Sequence, residues 1–149
     1  MTDTDLIIIG GGPAGCATAL MAASLGMHST LIEPHALCHT LQPITALNNV
    51  LGGFTTGSDL AAAITDDITR NPLCHLRLGE HITHLAAHDD HVAATLATGQ
   101  QLIAPHAVVA TGTTPLTPQR INWITAPDDL PIPPLRSADP ADLKGTTCL

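Results

Sequence analysis

Residues 5–33, DLIIIGGGPAGCATALMAASLGMHSTLIE, constrain the chain more than any other stretch. Leu6, Ile7, Ile8 and Ile9 form a short, β-branched apolar run, the kind required of a parallel strand buried on both faces. Gly10-Gly11-Gly12-Pro13-Ala14-Gly15 follows at once and has the pattern G-x-G-x-x-G. In that pattern Gly10 permits the tight turn, Gly12 lets a pyrophosphate approach the backbone, and Gly15 lets the following helix pack closely on the strand. The free N–H groups and partial positive charge of a helix N-terminus hold a diphosphate without a basic side chain. The first Lys or Arg of the chain is Arg70. Seventeen residues separate Gly15 from Glu33, which falls at the end of the second expected strand. A carboxylate there accepts hydrogen bonds from ribose hydroxyls and repels a ribose phosphate. Glycine clusters also occur in ordinary tight turns. Here the strand before, the helix after and the acid at the expected distance agree, and together they predict a dinucleotide cradle.

The helix after the turn is bounded by Pro13, which suits a first helical position, and by Gly26, a C-terminal stop. Ala14, Ala17, Leu20, Ala22 and Leu25 recur at helical spacing and form its expected sheet-facing side. Cys16 lies in the first turn, where the dipole would lower a thiol pKa; a small residue is equally what a crowded turn beside a cofactor requires. A strand is expected over residues 28–32, ended by Pro34. Residues 34–53 read as a long irregular segment that follows the acid and is placed to run along a bound cofactor. Thr56, Gly57, Ser58 and Asp59 supply capping groups for a helix over 58–70, with Leu60, Ala61, Ile64 and Ile68 on one face. A short strand is expected over 73–78. Residues 80–104, punctuated by Asp89-Asp90 and Gly99-Gln100, read as an antiparallel meander. HAVVA at 106–110 is another short buried strand and runs into Thr111-Gly112-Thr113-Thr114-Pro115. Beyond it the prolines, among them Pro131, Pro133 and Pro134, make residues 116–149 an extended connector.

Composition narrows the function classes. A chain of 149 residues, 44% of them hydrophobic, suits one domain with a core of Ala, Leu, Ile and Val, because Phe54 and Trp123 are its only aromatics. The formal charge of −8 argues against nucleic acid or an anionic membrane as partner. Residues 1–5 carry acids where a signal peptide carries positive charge, and no apolar run approaches the ~20 residues of a membrane-spanning helix, so a cytoplasmic protein is expected. The four cysteines, Cys16, Cys38, Cys74 and Cys148, contain no C-x-x-C and are expected as free thiols.

With both ends of residues 1–115 read, this region resembles the FAD domain of the thioredoxin-reductase-like flavoproteins, in the pyridine nucleotide-disulfide oxidoreductase family. The residues that carry the resemblance are DLIIIGGGPAG with Glu33, the segment NNVLGGFTTGSDL, the meander, and VVATGTTP. The resemblance implies an α/β, Rossmann-like, three-layer FAD-binding domain with a parallel sheet and an antiparallel β-meander. It implies Gly10, Gly12, Pro13, Ala14 and Gly15 at the FAD diphosphate, and Glu33 with Pro34 at the adenosine ribose. Thr40 or Gln42 falls near the family's flavin-contacting glutamine, where the expected Gly-Gly-Gln is replaced by Cys38-His39-Thr40. Asn49 matches a flavin-side asparagine, Ile82 lies in the strand that passes the adenine, and Ala110, Thr111 and Gly112 form the second flavin motif. The family's NAD(P)H domain would begin about where this sequence ends, and its C-x-x-C dithiol lies there. The chain is therefore expected to be the N-terminal half of a flavoprotein, either a natural short form or a truncated one.

Other residues suggest chemistry of their own. His35 and His39 flank Cys38 and would stabilise a thiolate, though no resolving cysteine is near in sequence; an ordinary loop thiol is the alternative. His81, His84, His88 and His91 have the spacing of a zinc-binding helix, but strand alternation would scatter them over both faces. No catalytic residue stands out, so any catalysis belongs to the cofactor. Two functions remain. One is an FAD-dependent oxidoreductase module that passes electrons between NAD(P)H and another acceptor with a partner, in a homo-oligomer or hetero-complex. The other is a non-catalytic FAD- or NAD-binding module that stabilises or regulates a partner.

Overall fold

The computed structural model describes residues 4–113; the expected connector over 116–149 lies outside the described residues. Strand β1 is Leu6–Ile9, helix α1 Pro13–Ser24 and strand β2 Ser29–Glu33. A 3-10 turn, His39–Leu41, interrupts the long segment before helix α2, Gly57–Thr69. Strands β3 (Cys74–Leu78), β4 (Ile82–Ala87), β5 (Val92–Leu96), β6 (Gln101–Ala104) and β7 (His106–Val109) complete the order. The first sheet is parallel, in the order β3-β2-β1-β7, and the second is an antiparallel meander, β4-β5-β6. Each expected element is present, within a residue or two at its ends.

Side-chain alternation sorts the parallel sheet into two cores. Leu6 and Ile8 of β1 and Leu31 of β2 point to one face, where they pack with Cys16, Ala19 and Ala22 of α1 and with Ala61 and Ile68 of α2. Ile7 and Ile32 point to the other and meet Ala94, Leu96 and Ala104 of the meander, with Ile9 and Ile82 alongside. This is why Leu6, Ile7, Ile8 and Ile9 are apolar without interruption: both faces of the strand are covered. The layers run helices, parallel sheet, meander.

Helix α1 presents a different face from the one expected. Of Ala14, Ala17, Leu20, Ala22 and Leu25, only Ala22 is buried, and Leu25 is 71% exposed. The buried positions are Gly15, Cys16, Ala19 and Ala22. Nearly every side chain of this helix is small or apolar, so sequence contrast cannot select a side. The choice is made by Gly15, whose α-carbon is pressed against the turn; a Cβ there would land on the carbonyl oxygen of Gly10. Positions 15, 19 and 22 then share the inner face by helical spacing.

The helix ends follow local chemistry. Gly26, at φ +75°, closes α1: its N–H donates to Ala23 O and the Met27 N–H to Ala22 O, the paired bonds of a Schellman motif. Thr56 caps α2 by accepting the Asp59 N–H at 3.2 Å. Among the described residues no helix is long and apolar enough to cross a membrane.

Two outcomes follow for equilibrium unfolding. Gly15→Ala forces backbone against backbone and is expected to cost about 2 kcal/mol or more, read as a lower urea midpoint. Thr56→Ala should cost about 1 kcal/mol and lower the thermal midpoint by about 5 °C, with no change in circular dichroism.

Candidate nucleotide-binding site

The two sequence motifs at opposite ends of the domain meet in space. β1 and β7 are parallel neighbours in the register Ile9↔Val109, and the Ala110 N–H donates to Ile9 O at 2.8 Å. Gly10 turns at φ +108°, and a Cβ on it would lie 2.5 Å from Ala110 O. The glycine turn therefore lies against Ala110, with Thr111 and Gly112 exposed beyond it. This is the carboxyl end of the parallel strands, where open α/β sheets bind ligands.

Gly12 is the N-cap of α1, with no side-chain capping bond and no acid in the first turn. A Cβ built on Gly12 meets nothing within 4 Å. Pro13 and Ala14 are exposed, whereas Gly15 is buried. The positive end of the helix is thus not covered by any side chain at Gly12, the arrangement that suits an anion at a helix N-terminus.

Gly11, a freely variable position in the motif, proves to be the hub. Its N–H donates to Glu33 Oε2 at 2.6 Å. Its carbonyl accepts the Cys38 N–H at 2.8 Å and the Cys16 thiol at 3.4 Å. A side chain at Gly11 would strike Leu37 Cδ2 at 2.7 Å and Glu33 Cβ at 2.8 Å. The sequence signal was a third glycine where the pattern demands none. Glu33 Oε1 accepts the His35 N–H at 2.9 Å and lies 3.8 Å from His39 Nδ1. Its side chain is only 7% exposed, so Glu33 braces the turn as well as standing at the expected ribose position. Each carboxylate oxygen has a further lone pair available to a hydroxyl.

The remaining expected residues are spread along the surface. Pro34 is exposed directly after Glu33, Thr40 lies in the 3-10 turn, and Gln42 caps that turn. Asn49 is exposed in the following loop. Among the described residues no hydrogen bond joins Thr40, Gln42 or Asn49 to the glycine turn. Ile82 opens β4 and packs with the meander cluster against Ile7 and Ile32.

Cys38 is buried and, at φ 53°, is the one non-glycine residue with positive φ among those described. Its neighbour is Cys16, far away in sequence. The neighbouring Cys38 thiol, together with burial, pushes the Cys16 thiol up, and Cys16 in turn holds the Cys38 thiol below its ordinary value against the effect of burial. The lowering at Cys38 therefore comes from Cys16 and not from the flanking histidines. His84 is in β4 and His81 precedes it, while His88 and His91 stack at the β4–β5 hairpin with ring centroids 4.5 Å apart. No group of three or more His, Cys, Asp or Glu among the described residues could hold a metal ion.

A second cleft, of about 950 Å³, runs between β3 and the meander and is lined by His75, Arg77, Glu80 and Gln100 among others. Its cation is already engaged: Arg77 pairs with Glu80 at 2.8 Å and donates to Gln100 Oε1 at 2.8 Å. None of the residues expected at the nucleotide lines it.

Similar structures share this architecture. Lactococcus lactis thioredoxin reductase (FR conformation) matches with a TM-score of 0.71 and 22% identity, over 77% of this chain and 37% of its own. The ferredoxin-flavin thioredoxin reductase of Clostridium acetobutylicum matches at 0.71 and 24%, over 79% and 40%. T. acidophilum thioredoxin reductase matches at 0.70 and 22%, over 79% and 38%. The chain thus spans about two-fifths of the length of these proteins. Among curated proteins none matches it. The family profile described as pyridine nucleotide-disulphide oxidoreductase matches residues 4–122, most of the sequence and every element of both sheets. The chain belongs to the pyridine nucleotide-disulphide oxidoreductase family.

Proposed function

We propose that this chain binds FAD across the Gly10–Gly15 turn and serves as the flavin half of an oxidoreductase linked to NAD(P)H. The observation that supports this reading above others is the open space in front of Gly12, at a helix N-terminus set against Ala110. In this reading the N–H groups of the first turn of α1 neutralise the diphosphate, which needs no lysine or arginine. Glu33, already oriented by the Gly11 and His35 N–H groups, accepts from the adenosine ribose hydroxyls, with Pro34 beside it. Ile82 stands toward the adenine. Thr40 or Gln42, Asn49 and the Ala110-Thr111-Gly112 end of β7 stand toward the flavin.

A bound flavin would supply hydride and electron transfer; the chain's own residues bind, orient and shield it. The nicotinamide nucleotide and the final acceptor are brought by a partner chain, by a second copy, or by the remainder of a longer protein. The cradle taken by itself also suits a second reading, a non-catalytic module that holds FAD or NAD to stabilise or regulate a partner.

Added FAD is expected to shift the flavin spectrum and to stabilise the chain by about 2.7 kcal/mol at a hundred times its Kd. Gly12→Val, at the N-cap of α1, should cost the free chain about 1 kcal/mol and weaken FAD binding at least about tenfold, since the new side chain stands where the diphosphate would approach. Equal binding by Gly12→Val, or no spectral and thermal response to FAD, overturns the reading. Bleaching of bound flavin by NADH or NADPH supports the oxidoreductase half; tight binding without bleaching supports the module.

A further inference from the structure

We propose that Cys16 and Cys38 are a redox pair, closing to a reversible intramolecular disulfide beneath the glycine turn when a peroxide oxidises them. Both side chains are buried, at 1% and 0% exposure, in the same core cluster. Both residues also hang from one carbonyl: Gly11 O accepts the Cys16 thiol at 3.4 Å and the Cys38 N–H at 2.8 Å. Cys16 arrives from the first turn of α1 and Cys38 from the loop after β2, and the two side chains share one buried cluster with Leu37 and Ala19. Cys38 holds a left-handed backbone, φ 53°, that glycine or asparagine would adopt with less strain. Strained positions of this kind cluster where a side chain has a task. The two thiols are also unequal: Cys16 holds the Cys38 thiol below its ordinary value, while Cys38 and burial push the Cys16 thiol above its own.

The oxidation balances as follows. The Cys38 thiolate attacks one oxygen of hydrogen peroxide; the O–O bond breaks, Cys38 becomes a sulfenic acid, and the departing hydroxide takes up a proton to form water. Cys16 then gives up its proton and attacks the Cys38 sulfur; the S–S bond forms, the S–O bond breaks, and a second water leaves. The two sulfurs together lose two electrons and the peroxide gains them. Neither sulfur is open to water in the closed fold, so the rate is set by transient opening of the loop after β2. Once made, the bond staples that loop to α1 and removes the thiol donor from Gly11 O. The pair stands whether or not FAD binds, because both sulfurs and Gly11 belong to the chain itself.

The test is made on the full chain, natively folded and free of added FAD. It is treated with hydrogen peroxide, its free thiols are blocked with N-ethylmaleimide, and it is cut by cyanogen bromide and then trypsin. Cleavage at Met1, Met21, Met27 and Arg70 puts Cys16 in residues 2–21 and Cys38 alone in 28–70. The expected product is these two fragments joined, lighter than their sum by about 2 Da and separated by dithiothreitol. Cys74 should remain alkylated. Maleimide on both Cys16 and Cys38 after treatment, a Cys16–Cys74 link, or Cys38 recovered as a sulfinic acid overturns the proposal. In Cys16→Ser, Cys38 should instead accumulate as a sulfenic acid that dimedone labels; absence of that label also overturns it. Should that variant fail to fold, the wild-type fragment map decides alone.

Discussion

Everything in this fold is referred to the contact between Gly15 and the carbonyl of Gly10. A missing Cβ lets α1 settle onto the end of β1, and the settling fixes the rotation of the helix about its axis. With the rotation fixed, Cys16, Ala19 and Ala22 must face the sheet and Leu20, Met21 and Leu25 must face outward. The same contact fixes where the first turn points. Gly12 is held at the carboxyl end of the sheet, where an added Cβ would meet nothing within 4 Å, so one steric requirement produces both the helix-side packing and the uncovered helix terminus. Core and site are two results of the same close approach.

Gly11 ties that turn to the rest of the cradle. One peptide unit donates to the carboxylate that ends β2 and accepts from the backbone of the loop that follows. Glu33 is consequently almost enclosed, although it is ionisable, and the N–H groups of Gly11 and His35 supply the partners that a buried carboxylate requires. An acid at the end of β2 therefore braces the glycine turn and the start of the following loop at once.

Where information was local, the sequence was readable. The β1–turn–α1–β2 unit, the Thr56 cap and the meander each rest on spacings within a few residues, and the same elements appear in the structure. The face of α1 was not readable, because alanine, leucine and methionine surround the helix and only the long-lever effect of Gly15 breaks the tie. The meeting of Cys16 with Cys38 was hidden for a related reason. It depends on the path of the loop after β2, which is set by its bond to Gly11 O and by the packing of Leu37 rather than by any repeat or motif. Thr40, Gln42 and Asn49 lie on that same loop; the resemblance pointed to them and left Thr40 and Gln42 as alternatives for one position.

Among the described residues β7 pairs with β1 only, leaving its other side as a rim of the sheet. The rim is short and carries the side chains His106, Ala107, Val108 and Val109, without a lysine or a bulge to discourage a neighbour. Val109 is 60% exposed there. A strand of this kind behaves as an unfinished ladder, ready to take one more rung from whatever extended backbone is at hand. Among the described residues, the open side of β7 offers its backbone N–H and C=O groups to one further extended segment.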